Sequence, residues 1–195
     1  MAEQMGLFGG EEKGPDGFRY RRELISVEEE RKLVEGIRGL KLEAFVFQGH
    51  EALRRTVSFG WRYDWGARKI EPAGEIPSFL MGLREKAAGF AGMPVERLAH
   101  VLLTEYAVGT PIGWHKDKGV FGEVIGVSLL SACTFRMRRE TAGGKWERYS
   151  IVAEPRSVYL LSGPAREEWE HSIPPVETLR YSVTFRTVRG MAPGG

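Results

Sequence analysis

The spacing of apolar residues predicts two helices in the first half of the chain. The first helix is expected to begin at Ser26, whose side chain can form a capping box with Glu29, and to end at Gly39. The second helix, over about residues 78–90, places its apolar side chains close to one face, as in a helix that covers a sheet.

Most of the remaining chain has the pattern of strands. Residues 41–48 and 53–63 are rich in β-branched and aromatic residues, and from residue 100 onward short apolar segments alternate with Gly and Pro turns. These segments leave no room for the long crossover connections that parallel strands need. The predicted fold class is therefore mostly β (α+β), an antiparallel sandwich or jelly roll with two N-terminal helices packed outside.

The composition favours one domain that folds without disulfides. Residues 1–17 contain no periodic apolar positions and are interpreted as a flexible tail, and residues 18–190 as a single domain. The one cysteine excludes a disulfide scaffold and favours a reducing compartment, and no apolar run reaches the roughly 18 residues of a membrane span. The net charge of +2 neither supports nor excludes nucleic-acid binding. We therefore expect a cytoplasmic monomer with no membrane contact.

The run GWHKDKG, residues 113–119, contains the first candidate metal ligands. Residues two apart in an extended segment point the same way, so His115 and Asp117 can direct an imidazole and a carboxylate at one point. This pair also occurs by chance in solvated turns, but His171 supplies a second imidazole after the strand-like run VYLLS. Two imidazoles and one carboxylate form the facial triad typical of non-haem Fe(II) that binds O₂ and a cosubstrate. Zinc-dependent hydrolysis is the rival metal chemistry.

The C-terminal strand LRYSVTFRTV has a polar face. Alternation along this strand places four residues on it: Arg180, Ser182, Thr184 and Arg186. Buried guanidinium groups without partners would be heavily penalised, so a dicarboxylate held between iron and arginine would satisfy them. The alternative is that both arginines pair with Asp or Glu on an exposed edge strand. Upstream, Thr104 and Tyr106 share a face, and the phenol can donate to the same carboxylate.

Three segments between Arg54 and Val188 match the motifs of one family in the family's order. They are SFGWRYDW with IPSFL, TEYAVGTPIGWHKDKG, and RYSVTFR. The first resembles a nucleotide-lid segment, the second an Asn-x-Tyr-x-x-Gly and metal-binding segment, and the third an Arg-Tyr-Asn-x-Thr-x-Arg signature. Together they resemble the AlkB family of Fe(II)- and 2-oxoglutarate-dependent dioxygenases.

The resemblance implies a double-stranded β-helix and a defined set of site residues. The implied iron ligands are His115, Asp117 and His171, the implied residues for the distal carboxylate of 2-oxoglutarate are Tyr106 and Arg180, and Arg186 is implied near the iron-chelating end. The implied cofactors are Fe(II) and 2-oxoglutarate, with O₂ as cosubstrate.

The sequence departs from the family pattern at three positions. Thr104 and Ser182 stand where the family has asparagines, and both keep a group that can hydrogen-bond to the cosubstrate. Gly119 stands where the similar DNA-repair members carry an acidic residue that helps to hold the damaged base. This segment is similar to the branch that contains the tRNA wobble-uridine hydroxylase domain and related RNA or protein demethylases.

Basic and aromatic residues alternate in two segments, 54–69 and 136–148. Such a mixture is typical of surfaces that neutralise phosphates and stack an unpaired base, although it also occurs on the solvated face of a strand. The candidate substrate-binding residues are Trp61, Arg62, Tyr63 and Arg136, with Trp65 in the same run as the first three.

The predicted function is oxidative demethylation or hydroxylation of alkylated bases in DNA or RNA, with the base flipped or single-stranded. One alternative is a hydroxylase or demethylase of tRNA or protein in the same family. A non-enzymatic alternative is a module that senses 2-oxoglutarate or binds nucleic acid without turnover.

Overall fold

The computed structural model describes residues 14–47, 50–64 and 66–191. Within them the strands are β1 (Phe18–Arg21), β2 (Glu43–Phe47), β3 (His50–Phe59), β4 (Trp61–Asp64), β5 (Lys69–Pro72), β6 (His100–Tyr106), β7 (Ile112–His115), β8 (Phe121–Leu129), β9 (Cys133–Glu140), β10 (Trp146–Ala153), β11 (Val158–Leu161), β12 (Glu170–Ile173) and β13 (Arg180–Val188). The α-helices are α1 (Val27–Arg38), α2 (Met81–Ala91) and α3 (Gly163–Glu167). In these ranges no helix is long and apolar enough to cross a membrane. Trp65 lies outside the described residues.

The strands form two facing sheets and a separate hairpin. The large sheet has seven strands in the order β1-β11-β8-β13-β6-β3-β2, and the small sheet has four in the order β10-β9-β12-β7. Strands β4 and β5 pair only with each other in the described structure, and we call them the β4–β5 hairpin. The pairings within the large sheet are antiparallel, as predicted for a chain without long crossovers.

Two apolar cores lie on the two faces of the large sheet. On one face, Val183 and Phe185 of β13 pack with residues of α1 and α2, such as Ile37 and Leu83. The other face packs toward the small sheet, through residues that include Phe135 of β9. The predicted fold class, with two N-terminal helices outside a jelly roll, is confirmed. Because alternate residues of β13 face opposite ways, its polar residues lie between the sheets.

The predicted strand over residues 53–63 is wrong, because the chain changes sheet at Gly60. This residue has a left-handed φ of +75° and separates β3 in the large sheet from β4 in the hairpin. A Cβ here would lie 2.1 Å from the carbonyl oxygen of Ala99, so both the backbone angle and the space require glycine. The hairpin closes where the amide of Gly60 donates to Gly74 and the amide of Ala73 donates to Gly60.

The predicted tail and the region after α2 also differ in detail from the structure. Residues 1–13 lie outside the described residues, whereas the carbonyl oxygens of Asp16 and Gly17 accept hydrogen bonds from the amides of Ala165 and Ser162. Residues 14–17 are therefore part of the folded chain. Only strands were predicted after α2, but the short helix α3 begins with Pro164 in its first turn and lies between β11 and β12.

Candidate active site

Two histidines and one aspartate meet where β7 and β12 pair. His115 and His171 are direct cross-strand neighbours, and their ring centroids lie 4.3 Å apart. Asp117 follows the end of β7, and the ligand atoms of the three residues all lie within 4.8 Å of one another. The structure therefore brings together the three predicted metal ligands, and their donor types suit Fe(II).

The Asp117 carboxyl group is kept ionised by the cations around it. Burial alone would raise its pKa, but the Arg186 guanidinium, with a smaller effect from Arg166, holds the pKa well below its usual range. Its Oδ1 accepts a hydrogen bond of 2.9 Å from Nη2 of Arg186, whereas Oδ2 is buried and has no partner. One oxygen is therefore fixed by arginine, and the other is left for a further ligand.

Both imidazoles are arranged to act as neutral ligands. Nδ1 of His115 lies 2.9 Å from the carbonyl oxygen of Gly113, and donation from Nδ1–H leaves the lone pair of Nε2 for a metal. Burial lowers the pKa of His171 to about 3. The ring of His171 also stacks on Phe135, with centroids 5.4 Å apart. Neutral rings keep the lone pairs that metal binding needs.

The predicted cosubstrate residues share the inner face of the large sheet. Ser182 is the cross-strand neighbour of both Thr104 on β6 and Ser128 on β8. The hydroxyl of Ser182 shares a hydrogen bond of 3.3 Å with the phenol of Tyr106. Tyr106 is in turn the neighbour of Arg180, whose guanidinium carbon lies 4.7 Å from the centre of the phenol ring. These five residues form a surface that we call the polar floor.

Arg180 is a buried cation with unused donors. It is only 1% exposed, and its Nη2 donates to the Ser128 hydroxyl at 2.7 Å while Nε and Nη1 have no partner. Of the six buried side-chain polar atoms that lack a partner in the described structure, four belong to Asp117, Arg180 and Arg186. Because such groups are costly when unpaired, this concentration indicates a site for an anion and a cation that complete the bonds.

Arg186 connects the polar floor with the three metal-ligand candidates. It lies on the same face of β13 as Arg180, and its hydrogen bond to Asp117 reaches across to the end of β7. Its Nη1 lies 3.4 Å from Nδ1 of His100. Burial, followed by the charge of Arg186, lowers the pKa of His100 well below its usual range, so this neutral ring can accept from the guanidinium. Strand β13 is central in the large sheet, which excludes the alternative of an exposed edge strand.

The β4–β5 hairpin approaches the segment that follows Asp117. The ammonium group of Lys118 lies 5.3 Å from the centre of the Tyr63 ring, within the range of a cation–π contact. Trp61 and Tyr63 share one face of the hairpin, and Arg62 lies on the other. There Arg62 forms an ion pair with Glu71 at 2.6 Å. The structure brings Tyr63 toward the site but not Arg62, because alternation along β4 separates them.

Arg136 lies on the opposite face of the small sheet from the metal-ligand candidates. His171 is the cross-strand neighbour of the buried Met137, and alternation along β9 directs the adjacent Arg136 outward. There its Nε donates to the hydroxyl of Ser172 at 3.1 Å, and its guanidinium lies 5.1 Å from the centre of the Trp114 ring. The sheet therefore separates Arg136 from the metal-ligand candidates, and its role in substrate binding stays a prediction.

Comparison with known families accounts for this arrangement. A family model described as the 2OG-Fe(II) oxygenase superfamily matches residues 26–186, which include the metal-ligand candidates and the polar floor. The chain belongs to this superfamily. The predicted cofactors of this oxygenase, Fe(II) and 2-oxoglutarate, are the cofactors in the family's name, and that prediction is confirmed.

Two curated relatives connect this oxygenase with the AlkB family. A protein of Arabidopsis thaliana named "Alkylated DNA repair protein ALKBH8 homolog" is 29% identical over 147 residues, which are 63% of this chain and 42% of that protein. A protein of Mus musculus named "tRNA (carboxymethyluridine(34)-5-O)-methyltransferase ALKBH8" is 25% identical over 186 residues, which are 91% of this chain and 27% of that protein. The predicted AlkB resemblance is confirmed, and the chain spans less than half the length of these relatives.

The solved structure titled "The structure of OsALKBH1" has the same fold as this oxygenase. The two superpose with a TM-score of 0.60 and 16% sequence identity, over 88% of this chain and 96% of that chain. At this level of identity the likeness concerns the fold alone. It supports the jelly-roll arrangement of the two sheets.

Three residues at the site of this oxygenase were not predicted. His100 has the same parity as Thr104 and Tyr106 along β6, so alternation identifies it as an inward-facing residue. Ser128 becomes identifiable only once the pairing of β8 with β13 is known. Arg166 on α3 contacts the backbone that follows Asp117, and no local pattern in the sequence indicates that contact.

Proposed function

We propose that this oxygenase binds Fe(II) through His115, Asp117 and His171 and uses 2-oxoglutarate and O₂ to oxidise a modified base in a nucleic acid. The observation that carries the proposal is the concentration of unpartnered buried atoms on Asp117, Arg180 and Arg186. A metal ion would take the free oxygen of Asp117, and a dicarboxylate would take the free donors of the two arginines.

The overall reaction inserts one oxygen atom into a C–H bond of the substrate. When bound, Fe(II) supplies the centre at which O₂ is reduced while 2-oxoglutarate is converted to succinate and CO₂. One atom of O₂ enters succinate and the other enters the hydroxylated product. On an N-methyl group, the resulting hemiaminal releases formaldehyde and leaves the demethylated nitrogen.

The residues of this chain provide charge, orientation and shielding. Arg186 holds the Asp117 carboxylate ionised and directed, and the carbonyl of Gly113 fixes the tautomer of His115. Arg180, whose Nε and Nη1 lack a partner, would hold the distal carboxylate of 2-oxoglutarate, with a further donor from the Tyr106 phenol. Burial of Arg180 and Tyr106 limits access of water, which would strengthen the charged contact.

A nucleic-acid substrate is favoured by the β4–β5 hairpin and by the relatives. Tyr63 and Trp61 offer aromatic faces on the side of the hairpin that approaches Lys118, a combination suited to stacking a base beside a phosphate. The names of both relatives concern nucleic acids, alkylated DNA in one and tRNA carboxymethyluridine in the other. Gly119 lacks the side chain with which an acidic residue would contact a base, so an RNA base is the substrate class that we favour over alkylated DNA.

A substrate panel tests the proposal directly. The protein would be incubated with Fe(II), 2-oxoglutarate and O₂, together with methylated single-stranded DNA, methylated RNA, bulk modified tRNA or a methyl-lysine peptide. We expect succinate formation to rise with RNA or tRNA, accompanied by formaldehyde or by a gain of one oxygen in the mass of a nucleoside. Reactions without 2-oxoglutarate or without O₂ serve as controls, and oxidation of the peptide alone would contradict the proposal.

Anaerobic spectroscopy separates this oxygenase chemistry from zinc-dependent hydrolysis. Mixing the protein with Fe(II) and then 2-oxoglutarate should produce a visible metal-to-ligand charge-transfer band, because the keto acid chelates the iron. Zinc-dependent substrate hydrolysis in the absence of O₂ and 2-oxoglutarate, with no such band, would favour the hydrolase.

A further inference from the structure

Arg166 is a buried arginine whose hydrogen bonds within the described part of the chain go to backbone carbonyl groups. It is 5% exposed and lies on α3. Its Nη2 donates to the carbonyl oxygens of Lys118 at 2.9 Å and Phe121 at 2.8 Å, with a longer contact of 3.3 Å to Asp117. Its Nε donates to the carbonyl oxygen of Gly122 at 2.8 Å. The Arg166 guanidinium therefore contacts four carbonyl groups of the turn that runs from Asp117 to Gly122.

This turn connects the candidate carboxylate ligand to β8. The Asp117 side chain is held by Arg186, whereas its backbone and that of the next residue are held by Arg166. The amide of Phe121 also donates to the carbonyl of Lys118, which closes the turn on itself. The two arginines thus fix different parts of the same ligand, one its carboxylate and the other its main chain.

Helix α3 is followed closely by β12, the strand that carries His171. α3 ends at Glu167, and β12 begins at Glu170, one residue before His171. A second contact reinforces the connection, because Nζ of Lys116 donates to the carbonyl oxygen of Glu167 at 3.0 Å. The segments that bear Asp117 and His171 are therefore joined by α3 as well as by the pairing of β7 with β12.

We infer that Arg166 is a positioning residue for the metal site, which holds Asp117 at ligand distance from His171 by tying the 117–122 turn to α3. A cation buried without a carboxylate partner is retained at a cost, and here its charge is satisfied by four carbonyl dipoles whose positions it fixes. Outer contacts of this kind orient the groups that bind the metal. The inference rests on the proposed ligand set of His115, Asp117 and His171.

The test measures Mn(II) binding to the purified protein, which requires neither O₂ nor turnover. Arg166→Met keeps the length and apolar stem of the side chain and removes all its donors, and Arg166→Lys keeps the charge with fewer donors. We expect Arg166→Met to weaken Mn(II) binding by about 10- to 100-fold, and Arg166→Lys to restore part of that loss. The dissociation constants would be measured by the electron paramagnetic resonance signal of free Mn(II), at a temperature where circular dichroism shows the parental fold.

Arg189→Ala is the matched control. Arg189 contacts the same turn through the carbonyl of Phe121 and the same helix through Glu167, but not the carbonyls of Asp117 or Lys118. Because Arg189 is largely exposed, we expect Arg189→Ala to change the Mn(II) dissociation constant by less than about twofold. Equal losses in Arg166→Met and Arg189→Ala would overturn the inference.

Two further outcomes separate the inference from the proposed function. Parental Mn(II) affinity in a folded Arg166→Met variant would overturn the positioning role while leaving the ligand set intact. Failure of the parent protein to bind Mn(II) would instead overturn the ligand set itself. If Arg166→Met does not fold, Arg166→Lys decides in the same assay, with parental affinity again overturning the inference.

Discussion

The space between the two sheets and the outer face of the small sheet both contain arginines, but among the described residues only those between the sheets are buried with donors that lack a partner. These are Arg180 and Arg186. On the outer face, Arg138 forms an ion pair of 2.6 Å with Glu170 and lies between two indole rings, 4.4 Å from Trp114 and 4.3 Å from Trp146. This difference between the two groups of arginines indicates that buried donors without a partner, rather than a high density of arginine, identify the ligand site in this protein.

The largest effect that would sharpen this comparison is expected from removal of the Asp117 carboxylate at the candidate metal site. Asp117→Ala should reduce 2-oxoglutarate turnover by roughly 1,000-fold or more, because it removes one of three ligands that act as a unit. Succinate formation would be measured on protein whose fold is checked by circular dichroism. The matched control is Glu170→Ala, which removes the carboxylate that pairs with an arginine on the outer face. Comparable losses in both variants would break the comparison.

The next effect concerns the distal carboxylate of 2-oxoglutarate. Arg180→Met should weaken binding of 2-oxoglutarate by about 100-fold, since it removes a pair of charge-assisted hydrogen bonds together worth about 3 kcal/mol. The dissociation constant would be measured anaerobically by the charge-transfer band of the Fe(II) complex. Arg136→Met, on the outer face, is the control and should bind the cosubstrate as the parent does. An unchanged constant in folded Arg180→Met would remove the cosubstrate from the polar floor.

A smaller effect is expected from the neutral donors of the polar floor. Tyr106→Phe should weaken 2-oxoglutarate binding by roughly tenfold, because one hydrogen bond from an uncharged donor to a carboxylate contributes about 1.5 kcal/mol. The same titration would measure it, and Ser182→Ala should give a loss of similar or smaller size. If Tyr106→Phe lost as much affinity as Arg180→Met, the charge of the arginine would not be the dominant attraction.

The smallest effect on catalysis is expected on the outer face. Arg138→Ala should leave the rate of succinate formation at the parental value and lower the free energy of unfolding by about 1 kcal/mol, through loss of two cation–π contacts and one ion pair. Urea titration would measure the free energy of unfolding, and the succinate assay would measure activity. A selective loss of activity with unchanged stability would show that the outer face takes part in function.

Strand alternation accounts for what could be predicted about the site between the two sheets. Counting in twos along β13 and β6 correctly placed Arg180, Ser182, Thr104 and Tyr106 on inward faces, because the period of a strand does not depend on its partners. The same count would have found His100. It failed for residues 53–63, where Gly60 sends the chain into another sheet although the residue types on both sides favour strands.

Contacts between distant segments explain what could not be predicted. Arg166 donates to carbonyl oxygens that are more than forty residues away in the sequence. Every residue has a backbone carbonyl group, so the amino-acid sequence does not indicate which of them an arginine contacts. For a related reason, the sequence could not show that Arg62 and Arg136 lie on faces directed away from the metal-ligand candidates. An arginine that alternates with aromatic residues has the same pattern whether the face it occupies meets a ligand, Glu71 or an indole ring.

Gly60 lies at the boundary between the large sheet and the β4–β5 hairpin. Apart from Asp117 in the turn after β7, the residues proposed to hold iron and 2-oxoglutarate lie in the two sheets, whereas the aromatic residues proposed to meet the base lie on a hairpin that leaves and re-enters at Gly60, Ala73 and Gly74. On the proposed function, exchange of the residues between these points is expected to change substrate preference while binding of Fe(II) and 2-oxoglutarate is retained.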